Sequence, residues 1–147
     1  MDNKRKKEGV PTLNTDWWNY GGLTRDVKLI ETSENFIRDY YIQLDPENID
    51  QIKGYVKLNG NTIFKQEIQI IIPELDIDEN FVSDENGVVS INIISDKIQY
   101  WSVHNPHLYE VIVKTHTDNV IDHIGFRSIK TKDNDILLNG DEIFLKG

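Results

Sequence analysis

The feature that most constrains this chain is an alternation of apolar and polar side chains with a period of two. In "GVVSINI", for example, Val89, Ile91 and Ile93 alternate with residues of the opposite face. A period of two places one set of side chains on one face of a β-strand. The residues that this alternation assigns to a common buried face, and that we expect in the core, are Tyr40, Ile42, Val56, Ile70, Ile91, Val111, Val113, Ile124 and Phe126.

The segment "FIRDYYIQL" is predicted to be the first of these strands. Simple alternation puts Phe36 on the same face as Tyr40, Ile42 and Leu44, and puts Ile37 on the other face. Turn residues separate the later segments. Asn59-Gly60-Asn61 predicts a hairpin between "IKGYVKL" and "TIFKQEIQIII", and Asn139-Gly140 predicts a smaller one within "ILLNGDEIFLKG".

Six or seven short strands between about residues 35 and 129 predict an all-β protein, with no helix longer than a turn. Their spacing is typical of an immunoglobulin-like antiparallel β-sandwich. The chain has no cysteine, so the disulfide of antibody domains is absent and thiolate metal sites are excluded.

Charge and motifs exclude several classes of function. The 25 acidic and 16 basic residues give a net charge of −9, which argues against nucleic-acid and membrane-surface binding. No apolar run is long enough to span a bilayer. The acidic stretch "LDIDENF" is not a calcium loop, because Phe81 occupies the position that requires glycine. Four histidines without cysteine partners do not predict a metal site, and no G-x-S-x-G nucleophile motif occurs.

Four motifs, in order, resemble glycoside hydrolase family 2, the group of β-galactosidases, β-glucuronidases and β-mannosidases. They are "DWWNYGGLTRDV" (16–27), "WSVHNPHLY" (101–109), "IGFR" (124–127) and "LNGDEIFLKG" (138–147). The resemblance implies three parts. Residues 1–30 would be the C-terminal end of a jelly-roll sugar-binding domain, and residues 31–130 the immunoglobulin-like sandwich. Residues 131–147 would form a lead-in hairpin to a catalytic (β/α)8 barrel downstream of Gly147.

The resemblance also implies a function. The parent protein would hydrolyse terminal β-linked sugars by a retaining mechanism that uses two carboxylates. Among the activities of the family, β-galactosidase is the one that we expect. Both carboxylates belong to the barrel, so this segment would be inactive alone and would space and support the barrel. Its partners would be that barrel, the rest of the jelly roll and the parent's carbohydrate substrate.

Specific residues take roles from the resemblance. Asp16 would lie near the substrate, because the matching aspartate of some galactosidases reaches the sugar pocket and helps to hold a sodium ion. The resemblance implies no cofactor for this segment, and a sodium or magnesium ion for the full-length enzyme. The residues expected to pack between domains, with Arg25 bridging carboxylates or carbonyls, are Trp17, Trp18, Tyr20, Arg25 and Arg127.

Two alternatives follow from the N-terminal aromatic residues. In this segment, residues 1–30 lack the rest of the jelly-roll sheet that their strands would complete. We therefore expect Trp17, Trp18 and Tyr20 to be exposed, unless a partner chain covers them, and to promote self-association. The competing function is a stand-alone β-sandwich module that binds carbohydrate or protein through these residues or through an exposed sheet face. The sequence does not indicate a compartment.

Overall fold

The computed structural model describes residues 7–9, 23 and 25–145. The chain divides into two compact units, Met1–Glu31 and Thr32–Gly147. The predicted jelly-roll strands fall almost entirely outside the described residues, and the three-part division of the chain stays a prediction. Every strand described below belongs to the second unit.

Within the described ranges, the second unit is built of strands and one short 3₁₀ turn, Pro73–Leu75. No helix in these ranges is long and apolar enough to cross a membrane. The strands are β1 Asn35–Leu44, β2 Gln51–Gly60, β3 Glu67–Ile72, β4 Ile77–Val82, β5 Val88–Ile94, β6 Tyr109–Lys114, β7 Asn119–Ile124, β8 Ile129–Lys132, β9 Asp135–Leu138 and β10 Asp141–Ile143.

The strands pair antiparallel throughout. Strands β1, β2 and β5 form one sheet in the order β1-β2-β5, and the other sheet of the sandwich has the order β4-β3-β6-β7. Strands β8 to β10 form a small separate sheet. The predicted all-β, immunoglobulin-like sandwich is confirmed. Its fourth strand pairs with β3, whereas in antibody constant domains that strand joins the sheet of the first two.

The core consists of the side chains that alternation placed inside. Val56, Ile70, Val111 and Phe126 have no exposed surface, and Tyr40 is partly buried at the margin. Each fully buried aliphatic side chain of this kind stabilises the fold by about 1.5–3 kcal/mol relative to exposure. The prediction of the core is therefore confirmed.

The first strand differs from the prediction at its start. The pairing of β1 with β2 shifts register between Ile37 and Asp39, which marks a β-bulge at Arg38. A bulge adds one residue to one strand and so reverses the alternation before it. As a result Ile37 is buried and Phe36 is only partly covered, so the predicted facing of these two residues was wrong.

The predicted hairpin at Asn59-Gly60-Asn61 was also wrong. Both edges of β2 are already paired, with β1 on one side and β5 on the other. Gly60 lies opposite Asn35 of β1, and the chain then crosses to β3 in the other sheet. The smaller hairpin is confirmed. Leu138 pairs with Asp141, and Asn139 and Gly140 have φ values of 54° and 92°, as a tight two-residue turn requires.

Hydrogen bonds join the sheets along the side where β1 faces β7. The amide of Ile37 donates to the Asp118 carboxylate (2.8 Å), and the Tyr40 hydroxyl donates to the Asp122 carboxylate (2.8 Å). Burial, followed by the hydrogen bond to Asp122, raises the pKa of Tyr40 to about 12. These bonds fix the two edge strands against each other at the approach to residues 125–128.

Candidate functional site

Three of the four motifs meet at one place in the structure. Residues from "WSVHNPHLY", "IGFR" and "LNGDEIFLKG" are far apart in sequence, yet the amide of Trp101 donates to the carbonyl of Phe126 (2.8 Å). We call the group that meets here the motif junction. It consists of Trp101, Gly125, Arg127, Ser128 and Asn139.

The indole of Trp101 is held between a glycine and an arginine. A Cβ atom at Gly125 would lie 2.7 Å from Cδ1 of Trp101, so only glycine allows the ring to pack this closely. The Arg127 guanidinium lies 5.3 Å from the centre of the indole ring, within the range of a cation–π contact. It also donates from Nη1 to the carbonyl of Gly125 (3.0 Å). These contacts fix both side chains.

Asn139 ties the small hairpin to the sandwich. Its Nδ2 donates to the carbonyl of Trp101 (2.9 Å), and its Oδ1 accepts from the amide of Ser128 (3.0 Å). The backbone amide of Asn139 donates to the Ser128 carbonyl (2.9 Å). Ser128 is buried, so these bonds satisfy backbone groups that would otherwise lack partners. Both polar atoms of the asparagine side chain are used.

The segment between Trp101 and β6 is a hydrogen-bonded turn. Ser102 and Asn105 exchange backbone hydrogen bonds (2.9 and 3.2 Å), and the Ser102 hydroxyl accepts from the Asn105 amide (3.1 Å). Tyr109, at the start of β6, is buried against Phe126 and accepts at its hydroxyl from the amide of Gln99 (2.7 Å). These contacts form a turn that leads directly into the core strand β6.

A shallow concavity of about 290 Å³ opens beside the motif junction. Gln43 lines it, and its Oε1 is buried without a hydrogen-bond partner in the described part of the chain. The remaining lining mixes apolar and polar side chains, namely Tyr41, Leu44, Pro46, Arg127, Ser128 and Ile129.

The carboxyl groups with perturbed pKa values are unsuited to acid catalysis. Asp45 is buried, and the hydrogen-bonded ammonium of Lys53 holds its pKa below the usual range. Lys97 lowers the pKa of Asp76 in the same way. A general acid in a glycosidase needs the opposite shift. In the ranges that the structure covers, no group of three histidine, aspartate or glutamate residues could hold a metal ion.

The predicted site residues have different outcomes. Asp16, Trp17, Trp18 and Tyr20 lie outside the described residues, so their roles stay predictions. Arg25 is exposed, and it forms no ion pair with any residue that the structure describes.

Arg127 is half-buried in the motif junction, and its predicted contact with another domain is untested. Sequence reasoning missed Ser128 and Gln43. Neither is conspicuous as a residue type, and only the folded chain shows where they lie.

A comparison with protein families decides the relationship. The profile of glycosyl hydrolases family 2 matches residues 35–127, which include the whole seven-stranded sandwich. The chain belongs to this family.

Individual relatives agree with the family. The chain is 30% identical to a β-galactosidase of Actinobacillus pleuropneumoniae over 140 residues, which cover 95% of this chain and 14% of that protein. It is 27% identical to a β-glucuronidase of Paenibacillus borealis, covering 100% of this chain and 25% of the relative. A solved β-galacturonidase from Eisenbergiella tayi bound to galacturonate has the same fold, with a TM-score of 0.72 and 23% identity. That alignment covers 96% of this chain and 27% of the galacturonidase. The chain therefore spans between about a seventh and about a quarter of the length of these relatives.

Proposed function

We propose that this chain is a non-catalytic supporting segment of a retaining β-glycosidase, and that the parent enzyme is a β-galactosidase. In this proposal the acid/base and nucleophilic carboxylates lie in a catalytic barrel outside the segment. The β-galactosidase activity is favoured because relatives from several bacteria carry that name. The name β-glucuronidase also occurs among them.

The observation that carries the supporting role is how the motif residues use their polar groups. Asn139 bonds with both side-chain polar atoms to backbone groups, and Arg127 stacks on Trp101 while it bonds to a carbonyl. A residue that binds substrate must leave donors or acceptors free for it. Asn139 instead uses both side-chain polar atoms to hold the β8–β10 sheet against the sandwich.

Retaining hydrolysis needs two carboxyl groups about 5–5.5 Å apart, one with a raised pKa. The described carboxyl groups with shifted pKa values, Asp45 and Asp76, have pKa values that lysine partners lower. Within the proposal, Asp16 contributes from the N-terminal segment to the substrate pocket of the parent. A sodium or magnesium ion, where the parent uses one, is held mainly by barrel residues.

The test uses the full-length enzyme that carries this segment. Asn139→Ala is compared with Asn134→Ala, which changes an exposed asparagine in the neighbouring β8–β9 turn. If the motif junction is supporting structure, Asn139→Ala shortens the half-life of activity on heating, while kcat and KM of the surviving enzyme stay within about twofold of the control. A fall in kcat of more than about a hundredfold without loss of stability would contradict the proposal, because losses of that size indicate a group acting in the reaction.

A further inference from the structure

The outer face of the four-stranded sheet carries a row of three isoleucines that is partly exposed. Ile71 of β3 pairs with Ile112 of β6, and Ile112 pairs with Ile121 of β7. All three point away from the core, because the residues beside them on each strand are the ones turned inward. Ile121 is 54% exposed, and the other two are half-buried. We call these three residues the isoleucine row.

Charges of opposite sign lie on either side of this row. On β6, Glu110 and Lys114 are each two residues from Ile112, so all three side chains share the outer face. On β7, Asn119 lies beside Lys114 and His123 beside Glu110. Neither Glu110 nor Lys114 forms an ion pair within the part of the chain that the structure describes. Along β6, the outer face is therefore basic at Lys114, apolar at Ile112 and acidic at Glu110.

This pattern is complementary to itself. A two-fold axis that runs along the isoleucine row, in the plane of the face, brings each isoleucine onto its own copy. The same operation places Lys114 opposite Glu110 of the second copy, and Glu110 opposite Lys114. It also places Asn119 opposite the second copy's His123. Isologous contacts of a two-fold dimer have this property, in which residue i meets j and j meets i.

We propose that the isoleucine row is the centre of a homodimer interface, and that its occupant is a second copy of this chain packed face to face. The two sheets would lie about 10 Å apart, with each isoleucine against its own copy at the centre and the charge pairs outside them. This proposal uses none of the N-terminal aromatic residues that the sequence suggested for self-association. The inference also does not depend on the glycosidase activity of the parent.

The interface is small, so the dimer is weak. One row of three isoleucines places it at the low end of specific interfaces, and we expect a dissociation constant on the order of 10–100 µM. Asp78 lies at the outer end of the row beside Ile71, where the Gln69 amide donates to it (2.7 Å). It would approach its own copy at the solvent-exposed rim, where like charges cost little.

The experiment is sedimentation equilibrium of the full 147-residue chain from about 5 to about 500 µM, in about 0.15 M salt to screen the net charge. We expect the mass to rise from 17.1 kDa toward twice that value. Ile121→Asp should weaken association by at least about tenfold. The matched control is Ile94→Asp, because Ile94 is also an exposed isoleucine on an edge strand, but of the other sheet.

Charge reversal tests the symmetry itself. Lys114→Glu places two glutamates opposite each other twice in the dimer, and we expect about tenfold weaker association. The double variant Lys114→Glu/Glu110→Lys restores complementarity and should return the dissociation constant to within about threefold of the original.

A chain that stays monomeric throughout the range would overturn the proposal. So would a dimer that Ile121→Asp leaves unchanged, that the double charge reversal fails to restore, or that only Trp17→Ala/Trp18→Ala disrupts.

Discussion

Replacing Asn139 is the sharpest test of how the β8–β10 sheet is held. Asn139→Ala removes two hydrogen bonds to backbone groups, each worth about 1 kcal/mol. It also places alanine at a φ of 54°, which costs about 1 kcal/mol more for a residue with a Cβ that makes no local bond. Together these losses weaken the attachment of the β8–β10 sheet to the sandwich by about 3 kcal/mol.

Amide hydrogen exchange measures this attachment directly. We expect the amides of β9 to exchange about 100-fold faster in Asn139→Ala, since each 1.4 kcal/mol is a factor of ten. Asn139→Gly keeps the backbone conformation and loses only the two hydrogen bonds, so the amides of β9 should exchange about 30-fold faster in this variant. Amides of the core strand β6 should be unaffected in both.

An acceleration of exchange below about fivefold in β9, or an equal acceleration in β6, would refute this assignment of the Asn139 hydrogen bonds. The matched control is Asn134→Ala, in the exposed turn between β8 and β9, which should leave both strands unchanged. Equal effects of the alanine and glycine variants would show that the backbone conformation contributes nothing.

Two further predictions concern the sandwich. Gly125→Ala forces a Cβ against Trp101 and should lower the free energy of unfolding by about 1–3 kcal/mol in urea titrations, and an unchanged midpoint would argue against this packing. For Tyr40, the raised pKa means that stability is complete below the unfolded-state pKa of about 10 and is lost as the pH rises toward about 12. Because the ring is partly solvated, we expect a loss of only about 0.5–1 kcal/mol by pH 11, and Tyr40→Phe should lack this component in parallel urea titrations. Identical alkaline profiles of wild type and variant would contradict the assignment.

Much of the fold was predictable because burying one face of a strand requires apolar residues at alternate positions of the sequence. The strands with clean alternation, such as β5 and β6, needed no tertiary information. The turn at Asn139-Gly140 was predictable because its positive φ values restrict the residues allowed.

The remaining features depend on neighbours that a sequence does not show. The bulge at Arg38 reverses the facing of Phe36 and Ile37, but it leaves no local mark in "FIRDYYIQL". Asn59-Gly60 has the composition of a hairpin turn, yet β2 already has two partners. Strand β4 was not anticipated, because its acidic residues suit an edge strand and a loop equally well.

The candidate site was predictable in its parts and not in its arrangement. The motifs named Trp101, Arg127 and Asn139, but their spacing gave no indication that they meet. The contact depends on Gly125 admitting the indole and on the buried backbone of Ser128 needing a partner. Both are properties of packing between distant segments.

The central claim is that this chain supports a glycosidase and performs no catalysis itself. The most direct measurement is to incubate the purified 147-residue chain with aryl β-galactoside, β-glucuronide and β-mannoside substrates, beside a buffer blank and the Asp16→Asn variant. The account predicts no release of the aryl group above the blank with any of the three. Turnover that is present in the chain and lost in Asp16→Asn would contradict it, because it would show a working site within the segment.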